Sequence, residues 1–121
     1  MLAFHGSSDR VVPYGGGQLP RSLGSLTITP VPVAVESWAI RDGCRGTPRQ
    51  VSVTSTVAET VYRGCRAGTQ VLLYTLIGDG HTWPGTPFDV PRLGGVNRQV
   101  GATALMLRFF RAHTRPGATS Q

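Results

Sequence analysis

Apolar positions along this chain fall into two unbroken runs, one loosely alternating stretch and one helical stripe. Met1 to His5 is a short apolar run closed by the polar cluster Gly6-Ser-Ser-Asp-Arg10, the pattern of a strand entering a turn. Thr69-Gln-Val-Leu-Leu-Tyr-Thr-Leu-Ile77 is continuous rather than alternating and stops at Gly78-Asp-Gly80. Such a run predicts a strand buried on both faces of a sheet. Between the two lies Val33 to Arg41, preceded by Pro32 and followed by Asp42-Gly43, which predicts a helix with a proline start and a glycine stop. The two strands are therefore expected to be parallel and joined by a βαβ crossover. Gln50 to Tyr62 is rich in β-branched residues, with Val51, Val53 and Val57 in loose alternation, and predicts one strand or a ragged hairpin. After a Pro/Gly-rich loop from Trp83 to Gly95, Val96 to His113 predicts a helix. At 100° per residue its Val96, Val100, Met106, Leu107 and Phe110 fall within an arc of roughly 120°.

The chain has 121 residues and a mass of 12.9 kDa, enough for one hydrophobic core and one domain. Residues 1–113 are assigned to an α/β domain and 114–121 to a flexible polar tail. No apolar stretch approaches the roughly 18 residues that span a bilayer, so no membrane segment is expected. Sixteen glycines and nine prolines argue for long connections and against a helical bundle. The net charge is +6 and every basic residue is arginine, but the arginines are scattered from Arg10 to Arg115 without a run or an aromatic ladder. Nucleic acid is not an expected partner. The start Met-Leu-Ala-Phe-His lacks a charged leader and a long apolar region, so no signal peptide is expected within these residues. Oligomeric state is not legible.

Candidate chemistry comes from a repeated offset. Asp9 lies four residues past His5 and His81 four past Ile77, each in a Gly-containing loop after an apolar strand. In open α/β sheets, loops at the carboxyl ends of strands line the ligand crevice. Parallel neighbours lie about 4.8 Å apart, so an Asp and a His at matching depth can meet. A carboxylate on one ring nitrogen fixes the tautomer and leaves the other nitrogen free as a general base. The same spacing equally fits an aspartate capping a turn and an unremarkable loop histidine. His5 at a strand end reads as structural, and His113 sits near a helix end where a positive ring is mildly favoured. Two cysteines and three dispersed histidines give no zinc-type spacing, and no metal or other cofactor is expected.

His5-Gly-Ser-Ser-Asp-Arg-Val-Val-Pro-Tyr14 resembles the segment around the catalytic aspartate of α/β-hydrolases, and Gly78-Asp-Gly-His-Thr-Trp-Pro-Gly85 resembles the segment around their catalytic histidine. With Trp38-Ala-Ile-Arg-Asp-Gly-Cys44 and Tyr62-Arg-Gly-Cys65, these segments are similar to the secreted esterases that include polyhydroxybutyrate depolymerases and feruloyl or acetylxylan esterases. The resemblance implies the C-terminal portion of an α/β-hydrolase fold, with parallel strands, a crossover helix and a C-terminal helix. It implies a carboxylic ester hydrolase with Asp9 and His81 as the acid and base of a Ser-His-Asp triad, acting on a polyester or an esterified polysaccharide. It places Trp83 and Tyr14 near substrate, although the plainer reading makes both of them loop anchors. It also implies a Cys44–Cys65 disulfide and an extracellular setting. A bridge there would close a loop of about 20 residues, worth roughly 3 kcal/mol in the chain-entropy model; two free buried thiols are the alternative.

The pattern departs from that family in lacking both the nucleophile segment and the oxyanion-hole loop that the resemblance places upstream of the aspartate. No Gly-x-Ser-x-Gly nucleophile segment occurs; Ser7, Ser8 and Ser25 lack its second glycine and its strand-to-helix context. The chain is therefore expected to be a fragment, or a late translation start, of a longer esterase, inactive alone. The competing class is a noncatalytic secreted binding or interaction module.

Overall fold

The computed structural model describes residues 1–114, so the expected polar tail lies, apart from Thr114, outside the described residues. In chain order the elements are β1 (Leu2–Gly6), β2 (Gly17–Gln18), β3 (Thr27–Ile28), α1 (Val31–Arg41), β4 (Arg49–Thr54), β5 (Val57–Tyr62), β6 (Val71–Leu76) and α2 (Ala102–Ala112). β2 and β3 pair as a small antiparallel ribbon, and the other four strands form one sheet in the order β1-β6-β5-β4.

This sheet corrects the expected architecture. β1 and β6 are parallel, but β5 runs antiparallel to β6 and β4 antiparallel to β5. Among the described residues the architecture is thus a small mixed sheet with two helices, and not a parallel-stranded portion of an α/β-hydrolase. The reason is chain length. Only residues 63–70 join β5 to β6, whereas a parallel crossover needs a dozen or more residues. β4 and β5 are joined by residues 55–56 alone, so the alternating stretch can only fold back as a hairpin.

β6 is central and buried along nearly its whole length, as its unbroken apolar run requires. On one face Val71 and Leu73 pack with Val35 and Ala39 of α1, with Met1 and Ala3 against them. On the other face Tyr74 and Leu76 join Val57 of β5, with Leu2, Phe4, Val100 and the α2 residue Leu105 packed against them. Leu73 and Leu76 are fully enclosed, each contributing about 2 kcal/mol of burial free energy.

α1 opens with Pro32 in its first turn and stops where Gly43 takes a φ of 65°, a left-handed conformation suited to glycine. α2 is shorter than its hydrophobic stripe predicts. Residues 96–100 are not helical, because the Asn97 side chain accepts the Gln99 N–H and donates to Thr56 Oγ1, which gives this segment local partners other than a helical ladder. Ala102, Leu105, Met106 and Phe109 are the residues turned inward, while Leu107 and Phe110 are about half exposed. Cys44 and Cys65 form a disulfide that ties the end of α1 to the end of β5, and the Arg45 N–H donates to Arg63 O beside it.

Candidate active site

The parallel β1–β6 register sets Gly6 opposite Leu76, so the loops that follow both strands leave the sheet at one end. They are stitched together. The Ser7 N–H donates to Leu76 O, the Ser8 N–H to Asp79 O and the Gly78 N–H to Ser7 Oγ, all within 2.9 Å. Asp9 closes the first loop with its own N–H on Gly6 O. Its carboxylate is 4% exposed and fully engaged. Oδ1 accepts the N–H groups of Val11 and Val12 at 2.8 Å each, and Oδ2 lies 2.8 Å from His81 Nδ1. Burial pushes the Asp9 carboxyl up, but the Val12 N–H, the His81 ring and the Val11 N–H together outweigh it and hold the group below the ordinary carboxylate range.

His81 is fixed at its backbone. Its N–H donates to Leu93 O at 2.7 Å, and the preceding Gly80 N–H donates to Gly95 O. Gly80 must be glycine, since a Cβ there would collide with Leu93 O and Gly94. The ring is about half exposed and faces an open crevice of about 350 Å³ lined by Phe4, His5, Gly6, Val12 and Trp83 as well as the pair itself. With Nδ1 donating to a buried carboxylate, Nε2 is left as the free acceptor. His5 Nδ1 lies 4.0 Å from the same Asp9 oxygen and 3.1 Å from Gly6 O, so it donates to the carbonyl.

Trp83 lines the crevice and also an adjoining apolar groove of about 300 Å³ floored by Leu2, Phe4, Met106, Phe109 and Phe110. Its indole N–H donates to Thr103 Oγ1 at 3.0 Å, which anchors the ring on α2 while leaving it about half exposed. Tyr14 is placed differently. It does not line the crevice; its hydroxyl lies 2.9 Å from Thr75 Oγ1, and His5 sits edge-on to its ring. Tyr14→Phe is expected to lower stability by about 1 kcal/mol in a urea titration, the value of one hydrogen bond.

Phe4, Gly6, Val12 and Asp79 are parts of the site that sequence reasoning did not single out. Phe4 was legible as the alternate position of β1 facing the same side as Leu2. Asp79 was not: burial raises its carboxyl, the N–H groups of Asn97 lower it less, and its Oδ2 has no partner. Because its folded value is raised, Asp79 favours the fold when protonated and opposes it once ionised. Asp79→Asn is expected to raise the thermal midpoint at pH 7, with the gain disappearing below about pH 4, where the carboxyl is protonated in either state. Among the described residues no three His, Cys, Asp or Glu side chains are grouped so as to hold a metal ion, and no helix is long and apolar enough to cross a membrane.

Over 82 residues, 67% of its length, the chain is 33% identical to Feruloyl esterase B of Piromyces equi, and it spans 15% of that protein. The relationship is distant and partial. No family model and no solved structure matches the chain.

Proposed function

We propose that this chain carries the acid–base half of a serine carboxylic ester hydrolase acting on aryl-acyl esters of the feruloyl type. The observation that supports it is the buried, doubly N–H-bonded Asp9 carboxylate holding Nδ1 of a half-exposed His81 at 2.8 Å. In this reading Asp9 orients the ring and stabilises its charged form. Nε2 removes the proton from a serine hydroxyl as that oxygen attacks the ester carbonyl, then passes it to the departing alcohol. An acyl-enzyme remains, which water, activated by the same nitrogen, hydrolyses to the free acid. The groove lined by Phe4, Trp83, Phe109 and Phe110 suits a flat aryl-acyl chain, and the distant feruloyl esterase relative supports the same class. The disulfide supports an oxidising, extracellular setting.

The serine belongs to polypeptide outside these 121 residues, since the chain holds no Gly-x-Ser-x-Gly segment. Methyl ferulate tests the reading. The chain alone is expected to leave it intact. The polypeptide joined to a Gly-x-Ser-x-Gly segment encoded in frame upstream should hydrolyse it, and His81→Ala should abolish that activity. Hydrolysis indifferent to His81→Ala overturns the assignment of the base, and encoding DNA without such a segment overturns the external serine.

A further inference from the structure

A second cavity of about 320 Å³, which has no lining residue in common with the apolar groove, is lined by Ser8, Arg10, Gly80, Arg92, Gly94 and Gly95 among others. Gly80, the residue before His81, borders both this cavity and the crevice. Arg10 comes from the loop that carries Asp9, and Arg92 from the turn Pro91–Leu93 whose carbonyl end holds the His81 N–H. Both residues are exposed, and among the described residues neither guanidinium has a carboxylate partner; Asp89, the nearest acidic residue in sequence to Arg92, is taken by Arg98 at 2.9 Å. No acidic side chain lines the cavity. The lining glycines add no side chains of their own, so the wall beside the two arginines is largely backbone.

From this placement we infer that Arg10 and Arg92 form a subsite for a carboxylate on the alcohol portion of the ester, as on a uronic acid residue of an acidic polysaccharide. The inference rests on the ester-hydrolase reading for the direction of the substrate. The aryl-acyl part occupies the groove beside Phe4 and Trp83, so whatever is attached to the leaving oxygen extends past His81 toward Gly80 and the arginines. Guanidinium groups bind carboxylates through paired, charge-assisted N–H bonds. Ser8, which also lines the cavity, carries a hydroxyl able to donate a further bond. An uncharged polysaccharide would leave both cations unused.

Titration of the ¹⁵N-labelled 121-residue chain with glucuronate, its neutral methyl ester and inorganic phosphate tests the subsite without requiring turnover. Glucuronate is expected to shift the amides of Ser8, Arg10, Gly94 and Gly95, with the methyl ester binding at least about tenfold more weakly, the loss of one charge-assisted pair. Arg10→Gln and Arg92→Gln should each weaken glucuronate by a similar factor, and the double variant should abolish the shifts, whereas Arg49→Gln on the opposite edge strand should not change them. Equal binding of the methyl ester, shifts that survive the double variant, or phosphate binding more tightly than glucuronate overturns the carboxylate subsite. His81→Ala should leave the titration unchanged. Glucuronate binding without ester hydrolysis by the serine-bearing polypeptide would therefore count against the hydrolase reading, and hydrolysis without glucuronate binding against the subsite.

Discussion

Asp9→Asn in the serine-bearing polypeptide is expected to lower kcat on methyl ferulate by about ten-thousand-fold, the cost of a wrong imidazole tautomer in a Ser-His-Asp triad. The substituted amide can keep its oxygen on the Val11 and Val12 N–H groups, which lie 2.8 Å from Oδ1, so the loop retains its shape. Its nitrogen then faces His81 Nδ1 where Oδ2 stood. An amide nitrogen donates, so Nδ1 must accept and the ring proton moves to Nε2. That nitrogen can no longer take a proton from serine. A variant that lost only structure would lose activity and folding together; here the circular dichroism spectrum should be unchanged while turnover collapses. The lowered Asp9 carboxyl also sets an acid limit. The stability it contributes is present above the ordinary carboxylate range, about pH 4, and is lost as pH falls through the lower folded value, so urea midpoints should drop in acid for the native chain and much less for Asp9→Asn.

Gly6→Ala is expected to destabilise the chain by upwards of about 3 kcal/mol, at the top of the range for overpacking because the obstructing atoms are backbone. Gly6 is buried at the end of β1, and a Cβ on it would collide with the carbonyl oxygens of Asp79 and Gly80. Relief requires moving the segment that carries His81 away from β1. The damage should therefore appear twice, as a lower urea midpoint and as a loosened Asp9–His81 contact. Gly15→Ala, where an added Cβ meets nothing within 4 Å, is the control and should leave both unchanged.

The strands that position the pair were legible because an unbroken run such as Thr69–Ile77 has few alternatives to a central buried strand, and the alternation of Val51, Val53 and Val57 has few alternatives to an extended one. The two that carry the pair, β1 and β6, are parallel as expected, and it is β5 and β4 that depart from an all-parallel sheet. Gln50 to Tyr62 fits one strand or a ragged hairpin by its pattern, and its orientation is decided by the eight residues 63–70 before β6, too few for a crossover. The length of α2 was misjudged for a different reason: Val96 and Val100 fit the helical stripe, but Asn97 prefers bonds to Thr56 and Gln99 that no periodicity reports. At the site, Asp9 and His81 were visible as matched offsets from two strand ends. What could not be read was the company they keep. The bonds from the Val11 and Val12 N–H groups are local and belong to the turn that Asp9 was able to cap, whereas the unpartnered oxygen of Asp79 and the displacement of Tyr14 onto Thr75 depend on contacts between segments apart in the chain.

The contact between Asp9 and His81 is tested most directly by the ¹⁵N-resolved NMR spectrum of the His81 ring at neutral pH. The expected result is an Nδ1-protonated ring with a slowly exchanging Nδ1 proton that disappears in Asp9→Asn, while Nε2 shows the shift of an unprotonated acceptor. A ring protonated at Nε2, or one with the averaged signals of a freely rotating histidine in the folded native chain, would contradict it.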